Sequence, residues 1–408
     1  MKSYLPVWLL VIALLCGVTR AEAFEVDGIY YDLNNEGAVV VPGDASYSGD
    51  VVIPSTVTYA GETYSVTRIG RYAFYQCEGL TTITISELVT SIGDDAFWEC
   101  SGLTTVTWNA RACSIGRNLF EANNNIITTF TFGDQVEQIP AGLCSGLKGL
   151  TTITIPELVT SIGDRAFADC EGLMSIMLPE SLASIGSEAF SGCIGLTAMT
   201  VPESVTSIGE RAFDCVRLKS VTWNARACSS GSNLFGGNYT RITTFTFGDQ
   251  VEQIPAGLCS GLKGLTTITI PESVTSIGDE AFSGCSQLES VTVHAVTPPE
   301  VGPNTFDNYG IPLYVPAGCK EAYQAAEYWR NFMNINEFAS GLESVLDSGA
   351  RIYVENHTLH VENVEGDYRV YATTGQLVYA GHAATVQLAD AGVYVVRTSS
   401  RSQKVVVK

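Results

Sequence analysis

The sequence predicts a mostly β chain: a solenoid of stacked coils with a β cap at its N-terminal end and a helical cap at its C-terminal end, followed by a small antiparallel β-sandwich. Three observations predict it. A unit of the form Leu-x-x-Ile-x-Ile-Pro-x-x-Val-x-x-Ile-Gly-x-x-Ala-Phe-x-x-Cys recurs, its opening apolar residue falling at Leu80, Leu103, Ile127, Leu150, Leu173, Leu196, Leu218, Ile242, Leu265 and Leu288, spaced 22 to 24 residues apart. Thr, Ser and Gly are abundant while Lys, Glu and Gln are sparse, which favours strands and turns over long helices. Residues 348–408 abandon the repeat for short segments alternating at period two.

The first 23 residues read as an export signal. Lys2 supplies the positive start, Leu5 to Leu15 the apolar stretch, and Ala21-Glu22-Ala23 a small-x-small cleavage site, so the mature chain is expected to begin at Phe24. The uncharged run ends near Val18, short for a membrane span of about 20 residues. Cys16 directly follows Leu15, and a bulky Leu there fits lipoprotein processing poorly. No later apolar run is long enough to span a bilayer. Residues 24–47 follow, with Phe24 to Val41 reading as a hairpin-like pair of strands that can close the solenoid end.

The solenoid is expected over 48–310, about eleven coils counting a degenerate first one from Val52-Ile53-Pro54 to Cys77. The Leu-x-x-Ile-x-Ile segment alternates at period two and makes a short strand, ended by Pro. Val-x-x-Ile-Gly makes a second extended edge, and Ala-Phe turns the chain inward with Phe as the large filler. One coil buries about six apolar side chains at roughly 1.5–3 kcal/mol each, too little to order some 23 residues alone. Stacking makes up the difference. Trp108-Asn109-Ala110-Arg111-Ala112-Cys113 returns as Trp223-Asn224-Ala225-Arg226-Ala227-Cys228, 115 residues on, and the stretch from Phe132 returns from Phe247 at the same offset, so a block of five units was copied.

One column of the repeat holds Cys77, Cys100, Cys170, Cys193, Cys215 and Cys285, with Asn123, Asn238 and Asn308 in other copies and Leu147 and Leu262 in two more. Cys alternating with Asn suggests a small polar group satisfying turn backbone inside the coil. An exported chain with 12 Cys invites disulfides. Stacked rungs, however, hold Cβ atoms about 4.8 Å apart where a disulfide prefers about 3.8 Å. Buried thiols are the favoured reading, and some pairing stays open.

This unit resembles the leucine-rich repeat of the BspA-like, treponemal type over roughly residues 45–310, which implies a leucine-rich-repeat solenoid on a secreted or surface-exposed protein of adhesin type. Departures fall in the two Trp-Asn-Ala-Arg-Ala-Cys units, which lack Pro, and where Leu143-Cys144 and Leu258-Cys259 replace Ala-Phe. Leu313-Tyr314-Val315-Pro316 leads into a helix expected over Ala317 to Phe332, read as the C-terminal cap within 311–336, with a linker over 337–347. Seven alternating segments follow: Arg351–Val354, Thr358–Val361, Tyr368–Ala372, Gln376–Tyr379, Thr385–Leu388, Val393–Thr398 and Lys404–Val407. Tyr371 to Val378, Ala391 to Val396 and Lys404 to Lys408 give this tail a resemblance to the sorting domain of type IX secretion cargo. That implies a Bacteroidetes-type bacterium, display at its outer membrane, and the secretion machinery as a partner. An ordinary binding sandwich is the alternative.

No catalytic constellation is legible. The four His are His294, His357, His360 and His382, and none sits in a nucleophile motif. His357-x-x-His360 on a strand would point to opposite faces. Cys113 and Cys228 follow Arg-Ala and read as turn packing. The chain is therefore expected not to be an enzyme, and it calls for no cofactor and no metal. Its net charge of −21 argues against nucleic acid and leans toward cationic partners. Asp94, Asp95, Asp164, Glu188, Glu210, Asp279 and Glu280 follow the Ile-Gly turn and read as turn capping along an acidic edge.

The candidate ligand face is the outward position between the two strand Ile residues: Thr84, Thr107, Thr131, Thr154, Met177, Thr200, Thr222, Thr246, Thr269 and Thr292. A flat hydroxyl-and-methyl row could bind an extracellular protein or glycan. A structural spacer or surface-layer component with no dedicated ligand is the competing expectation.

Overall fold

The computed structural model describes residues 23–338 except 124, 231–232 and 237–239, and residues 351–407 except 356–357, 363–367, 373–376, 389–391 and 398–401. Nearly all of the expected export signal and most of the expected linker lie outside them. The contacts divide the chain into two units, Met1–Val291 with Pro299–Ile311, and Thr292–Pro298 with Pro312–Lys408.

The first unit is a β-solenoid of parallel strands. Each coil runs along a long strand, turns, runs along a short strand, and bends back. Long strands run from Gly49–Val52 and Leu80–Ile85 onward to Thr267–Ile270, and short strands such as Ser91–Ile92, Ser161–Ile162 and Ser207–Ile208 form the opposite edge. Equivalent residues stack in register: Ile83 pairs with Val106 and Ile85 with Trp108, and all four are fully buried. Alternation puts the branched residues inside and Thr outside.

Two glycine columns let coils approach. A Cβ on Gly93, Gly163, Gly209 or Gly278 would fall well inside 3.0 Å of the backbone nitrogens of Arg71, Ala141, Ser187 and Ala256 in the preceding coil. A Cβ on Gly102, Gly172 or Gly264 would meet the carbonyl oxygens of Glu78, Lys148 and Ile242 as closely. The first column also donates across the gap, as Gly163 does to the Ile139 oxygen at 2.9 Å. Only the residue without a side chain permits this spacing.

The bend around Ala-Phe turns on left-handed backbone. The residue before Ala has φ of +54° at Arg165, +55° at Glu188 and +57° at Glu280, and Gly142 and Gly257 hold the same position at +71° and +65°. A second such residue follows Phe by two, for example Glu99, Asp169 and Gly192. Between them Ala and Phe both point into the core. The Phe rings stack from coil to coil, with centroids 5.0 Å apart for Phe74–Phe97, 5.4 Å for Phe97–Phe120 and for Phe167–Phe190, and 5.2 Å for Phe282–Phe306.

The cysteine column does what its alternation with Asn implied. The thiols of Cys100, Cys170, Cys193 and Cys285 donate to the carbonyls of Phe74, Cys144, Phe167 and Cys259 at 3.0–3.1 Å, each 26 residues back. Asn123 donates its Nδ2 to Phe97 at the same offset, 2.7 Å away. Cys215 reaches the Phe190 oxygen from 25 residues, so the column survives a coil one residue short. Eleven buried cysteines lie among the described residues, and none of them is in a disulfide. Asn308 departs from the column: it is exposed, and its side-chain oxygen accepts from the Gly310 amide at 2.9 Å. Asn238 lies outside the described residues.

The irregular coils exchange volume between columns. Where Cys144 and Cys259 stand in the Phe column, the long strands of the same coils carry Phe130 and Phe132, and Phe245 and Phe247. Phe130 meets the last ring of the ladder, Phe120, edge-on at 6.2 Å, and Phe245 meets Phe235 likewise at 6.0 Å. The core is filled from the other side.

At the N-terminal end there are three strands rather than two, Phe24–Val26, Ile29–Asn34 and Gly37–Val40, in an antiparallel meander. Asp27 and Gly28 both hold positive φ, the requirement of a two-residue hairpin turn, and this creates the extra strand. Gly37–Val40 then pairs in parallel with Glu62–Ile69, which continues the short-strand edge.

In the second unit the expected long helix is broken. Lys320–Ala325 is helical, Ala326 is extended, Tyr328 has φ of +62°, and Trp329–Asn331 is a 3-10 turn. A continuous α-helix would turn Phe332 about 180° away from Tyr323, nine residues earlier. The break lets Tyr323, Trp329 and Phe332 all bury, with ring centroids 5.3 and 6.0 Å apart. The tail forms two antiparallel sheets, Arg351–Glu355, Thr358–Glu362 and Thr385–Gln387 against Leu377–Gly381, Tyr368–Ala372, Gly392–Arg397 and Ser402–Val407. Ile352, Leu359, Tyr368, Val370, Tyr394 and Val396 share its core.

Candidate ligand face

The long strands place the Thr column on the outside of the first unit. Thr84 pairs in register with Thr107, Thr107 with Thr131, Thr154 with Met177, Thr200 with Thr222 and Thr222 with Thr246. Thr131, Thr154, Thr200, Thr246 and Thr269 are exposed, and Thr84, Thr107 and Thr222 are half-buried. Thr292 belongs to the second unit and is half-buried there. A second outward row, two residues earlier, holds Thr82, Thr105, Thr129, Thr152, Thr244 and Thr267 with Ser175, Ala198 and Ser220. Hydroxyls thus repeat about 4.8 Å across the strands and about 6.6 Å along them. At the first coil they already serve as donors: Thr82 and Thr81 hold the Asp50 carboxyl below its ordinary range, and Thr81 reaches it at 2.9 Å.

Two features of this face were not singled out by the repeat. Met177 is 84% exposed in the Thr column, and Met174, three residues before it, is 68% exposed. The ladder of long strands is also interrupted between Thr129–Phe132 and Thr152–Thr154, between Ser175–Met177 and Ala198–Val201, and between Thr244–Phe247 and Thr267–Ile270. Two of these gaps follow the bulky Phe strands. The third follows the Met strand, whose inner residues Ile176 and Leu178 are only half-buried.

Carboxylates divide into two sets. Of those after Ile-Gly, Asp94, Asp164 and Asp279 are structural and accept from the amides of Arg117, Ser187 and Asn304 in the following coil at 2.7–3.1 Å. Glu188 pairs with Arg165 at 2.5 Å, and Asp95 with Arg71 at 3.7 Å. A different column lies just past the long strands. Glu87, Asp134, Glu157, Glu180, Glu203, Asp249 and Glu272 are all exposed, and among the described residues none is in an ion pair. In the Trp coils Ala110 and Ala225 take this place, and the adjoining Arg111 and Arg226 pair with Glu137 and Glu252.

Groups that could carry chemistry are dispersed. The Cys113 and Cys228 thiols face the oxygens of Ser114 and Ser229, and burial pushes both up to about 12, far from a reactive thiolate. His294 packs on Phe338 at 5.1 Å, His382 is exposed, and His357 lies outside the described residues. A hollow of about 410 Å³ is lined by Cys228, Gln253, Ile254, Ile277 and Glu300, and one of about 240 Å³ by Phe282, Cys285, Phe306 and Asp307. In the first the Cys228 thiol faces the Ser229 oxygen, and in the second the Cys285 thiol donates to the Cys259 oxygen at 3.1 Å. Among the described residues no group of three or more His, Cys, Asp or Glu could hold a metal ion, and no helix is long and apolar enough to cross a membrane.

The family model described as BspA type leucine rich repeat region (6 copies) matches residues 55–174, 137–261 and 254–326. Solved structures with a similar chain include a leucine-rich repeat protein from Bacteroides ovatus, 23% identical, covering 77% of this chain and 99% of that one with a TM-score of 0.42. A leucine-rich cell surface protein from Faecalibacterium prausnitzii is 23% identical over 78% of this chain and 96% of that one, TM-score 0.33. The pneumococcal vaccine antigen PcpA is 15% identical over 79% and 99%, TM-score 0.33. No curated protein matches.

Proposed function

We propose, from the premise that this chain belongs to the BspA-type leucine-rich-repeat family, that it is a secreted or surface-displayed bacterial binding protein of adhesin type. Its ligand is an extracellular protein or glycan, held on the Thr face of the solenoid. The observation that carries this reading is the outward column from Thr84 to Thr269, in which Thr84, Thr107 and Thr131, and again Thr200, Thr222 and Thr246, pair in register and present hydroxyls on the outer side of the long strands. A flat strip of hydroxyls and methyls offers many weak, additive contacts, and their sum depends on length.

Export by the segment 1–23 and display through the tail belong to the same proposal. The paired sheets of the tail are compatible with a compact sorting domain, although Thr373 to Gln376 of the resembling motif lie outside the described residues. On this reading the partners are the surface ligand and the secretion machinery, at the outer membrane of a Bacteroidetes-type bacterium.

The test is a binding screen of the full mature chain against extracellular matrix proteins, glycans and bacterial surfaces, with T107K/T131K and T222K/T246K as paired controls. The proposal expects capture of at least one ligand, weakened tenfold or more in one of the two variants. Capture of nothing favours the spacer reading. Deleting residues 342–408 is expected to leave the chain in the cell envelope, and normal display of that truncation refutes the sorting role.

A further inference from the structure

We propose that the middle of this face is a docking site for an extended, basic polypeptide segment that seats an apolar side chain on Met174 and Met177; the inference rests on the binding role argued above and names the partner's chemistry. The Met pair is the first ground. Every other coil in the first unit puts Thr at the Met177 position except the first, where Val52 stands, and stability does not ask for two methionines at 68% and 84% exposure. Methionine is a flexible, polarisable surface on which a partner's apolar side chain can repack.

The second ground is independent of those side chains. Among the described residues Ser175–Met177 is the only long strand of the first unit with no buried residue. Ile176 and Leu178 stay half-exposed where the flanking coils bury Ile153 and Ile155, and Met199 and Val201. Its ladder to Ala198–Val201 is interrupted, although neither strand carries the bulky Phe residues that accompany the other two gaps. One coil therefore exposes two methionines beside a gap in the sheet, over inner side chains less buried than those of its neighbours, and an exposed apolar patch of this kind marks an interaction surface.

Charge selects the occupant. Glu157, Glu180 and Glu203 stand exposed just past the ends of this strand and its two neighbours, and among the described residues none of them is in an ion pair. On the entry side Lys148 and Glu171 neutralise each other at 2.6 Å. The patch is thus apolar in its centre and acidic along one rim, in a chain of net charge −21. A nucleic acid is repelled there, and a neutral glycan meets neither the apolar centre nor the rim. A segment alternating Lys or Arg with aliphatic residues meets both, with its charges along the carboxylates and its apolar side chains on the methionines.

Titration calorimetry of the full mature chain with the synthetic peptide Lys-Leu-Lys-Val-Lys-Leu-Lys tests this. The expected result is saturable binding that weakens about tenfold in M174T/M177T, which gives this coil its neighbours' residue and so should fold. Binding should also weaken in E157Q/E180Q/E203Q and with added salt, while the Glu-for-Lys peptide does not bind. Peptide affinity unchanged in M174T/M177T reduces the effect to general charge attraction and overturns the proposal, as does absence of binding. If the surface ligand found in the wider screen is lost in the Thr variants yet retained in M174T/M177T, the binding role stands and this site falls.

Discussion

The thiol of Cys193 donates to the carbonyl oxygen of Phe167 across 3.0 Å, reaching back one coil to the residue on which the bend turns. Replacing it with valine keeps the volume and removes this donor, so the Phe167 oxygen keeps only the Cys170 amide at 3.3 Å, at a cost of about 0.5–1.5 kcal/mol. Serine keeps a donor and should cost less. Urea midpoints of C193V and C193S at unchanged m-value give the comparison, and equal losses would show that the hydrogen bond is immaterial.

Burial holds the Cys100, Cys113, Cys228 and Cys285 thiols up at about 12, against an ordinary value of 9.0. Between pH 9 and 12 the unfolded chain ionises these thiols while the folded chain keeps them protonated, so the unfolded state binds fewer protons. Stability is therefore intact below pH 9 and falls above it, by about 1.4 kcal/mol per pH unit for each thiol. Urea midpoints of the wild type and of C100S/C285S at pH 8, 9, 10 and 11 measure the slope. The variant should fall less steeply, and identical slopes refute the assignment to these thiols.

Glycine columns make a sharper contrast. Gly163→Ala drives a Cβ into the Ala141 backbone and should cost well over about 2 kcal/mol, because a strained coil must move its neighbour. Gly257 has open space around a built Cβ and only its φ of +65° to lose, a conformation Glu280 and Arg165 already adopt. Gly257→Ala should cost about 1 kcal/mol. Thermal melting of the two variants reads the difference, and a larger loss at Gly257 contradicts the close-approach account.

The exchange between Phe130 and Cys144 predicts coupling. Cys144→Phe alone overfills the coil, at a cost of about 1–3 kcal/mol. Adding Phe130→Val, the residue Val106 supplies one coil earlier, should recover much of that loss. A double-mutant cycle measures it, and additive losses show that the two positions do not share space.

Much of the fold was legible because a repeat announces its own register. Once Ile83 and Val106 are assigned to one column, the inward and outward faces of every coil follow, and the Thr row with them. The helix over 317–332 was not legible, because composition suggested one amphipathic helix while burial of three rings at 323, 329 and 332 required a break. Asn308 looked like a ladder member by spacing alone, yet it lies in the coil that ends the first unit and turns to its own Gly310 amide. For the face itself, only one of the two acidic columns stood out in the sequence. Asp94 and Asp164 are conspicuous beside the repeated Gly and cap the turn as read, accepting from backbone amides, whereas Glu157 and Glu180, exposed past the long strands, were not singled out. Met177 stood in the row from the start. That its strand is also the least buried one depended on packing against two neighbours, which no single coil encodes.

The five-coil duplication has a genetic consequence. Most coils meet the next through the same glycine contacts and the same reach-back from the bend, so a copied block arrives with both of its joints already compatible. Unequal crossing-over between the two 115-residue segments would delete or add five rungs in one event, changing the strip by about 24 Å without a single new contact having to be invented. Length is therefore the trait that recombination can vary most freely here. The Met174–Met177 coil lies within the span that such an event removes or repeats, so the number of central patches would be inherited along with reach.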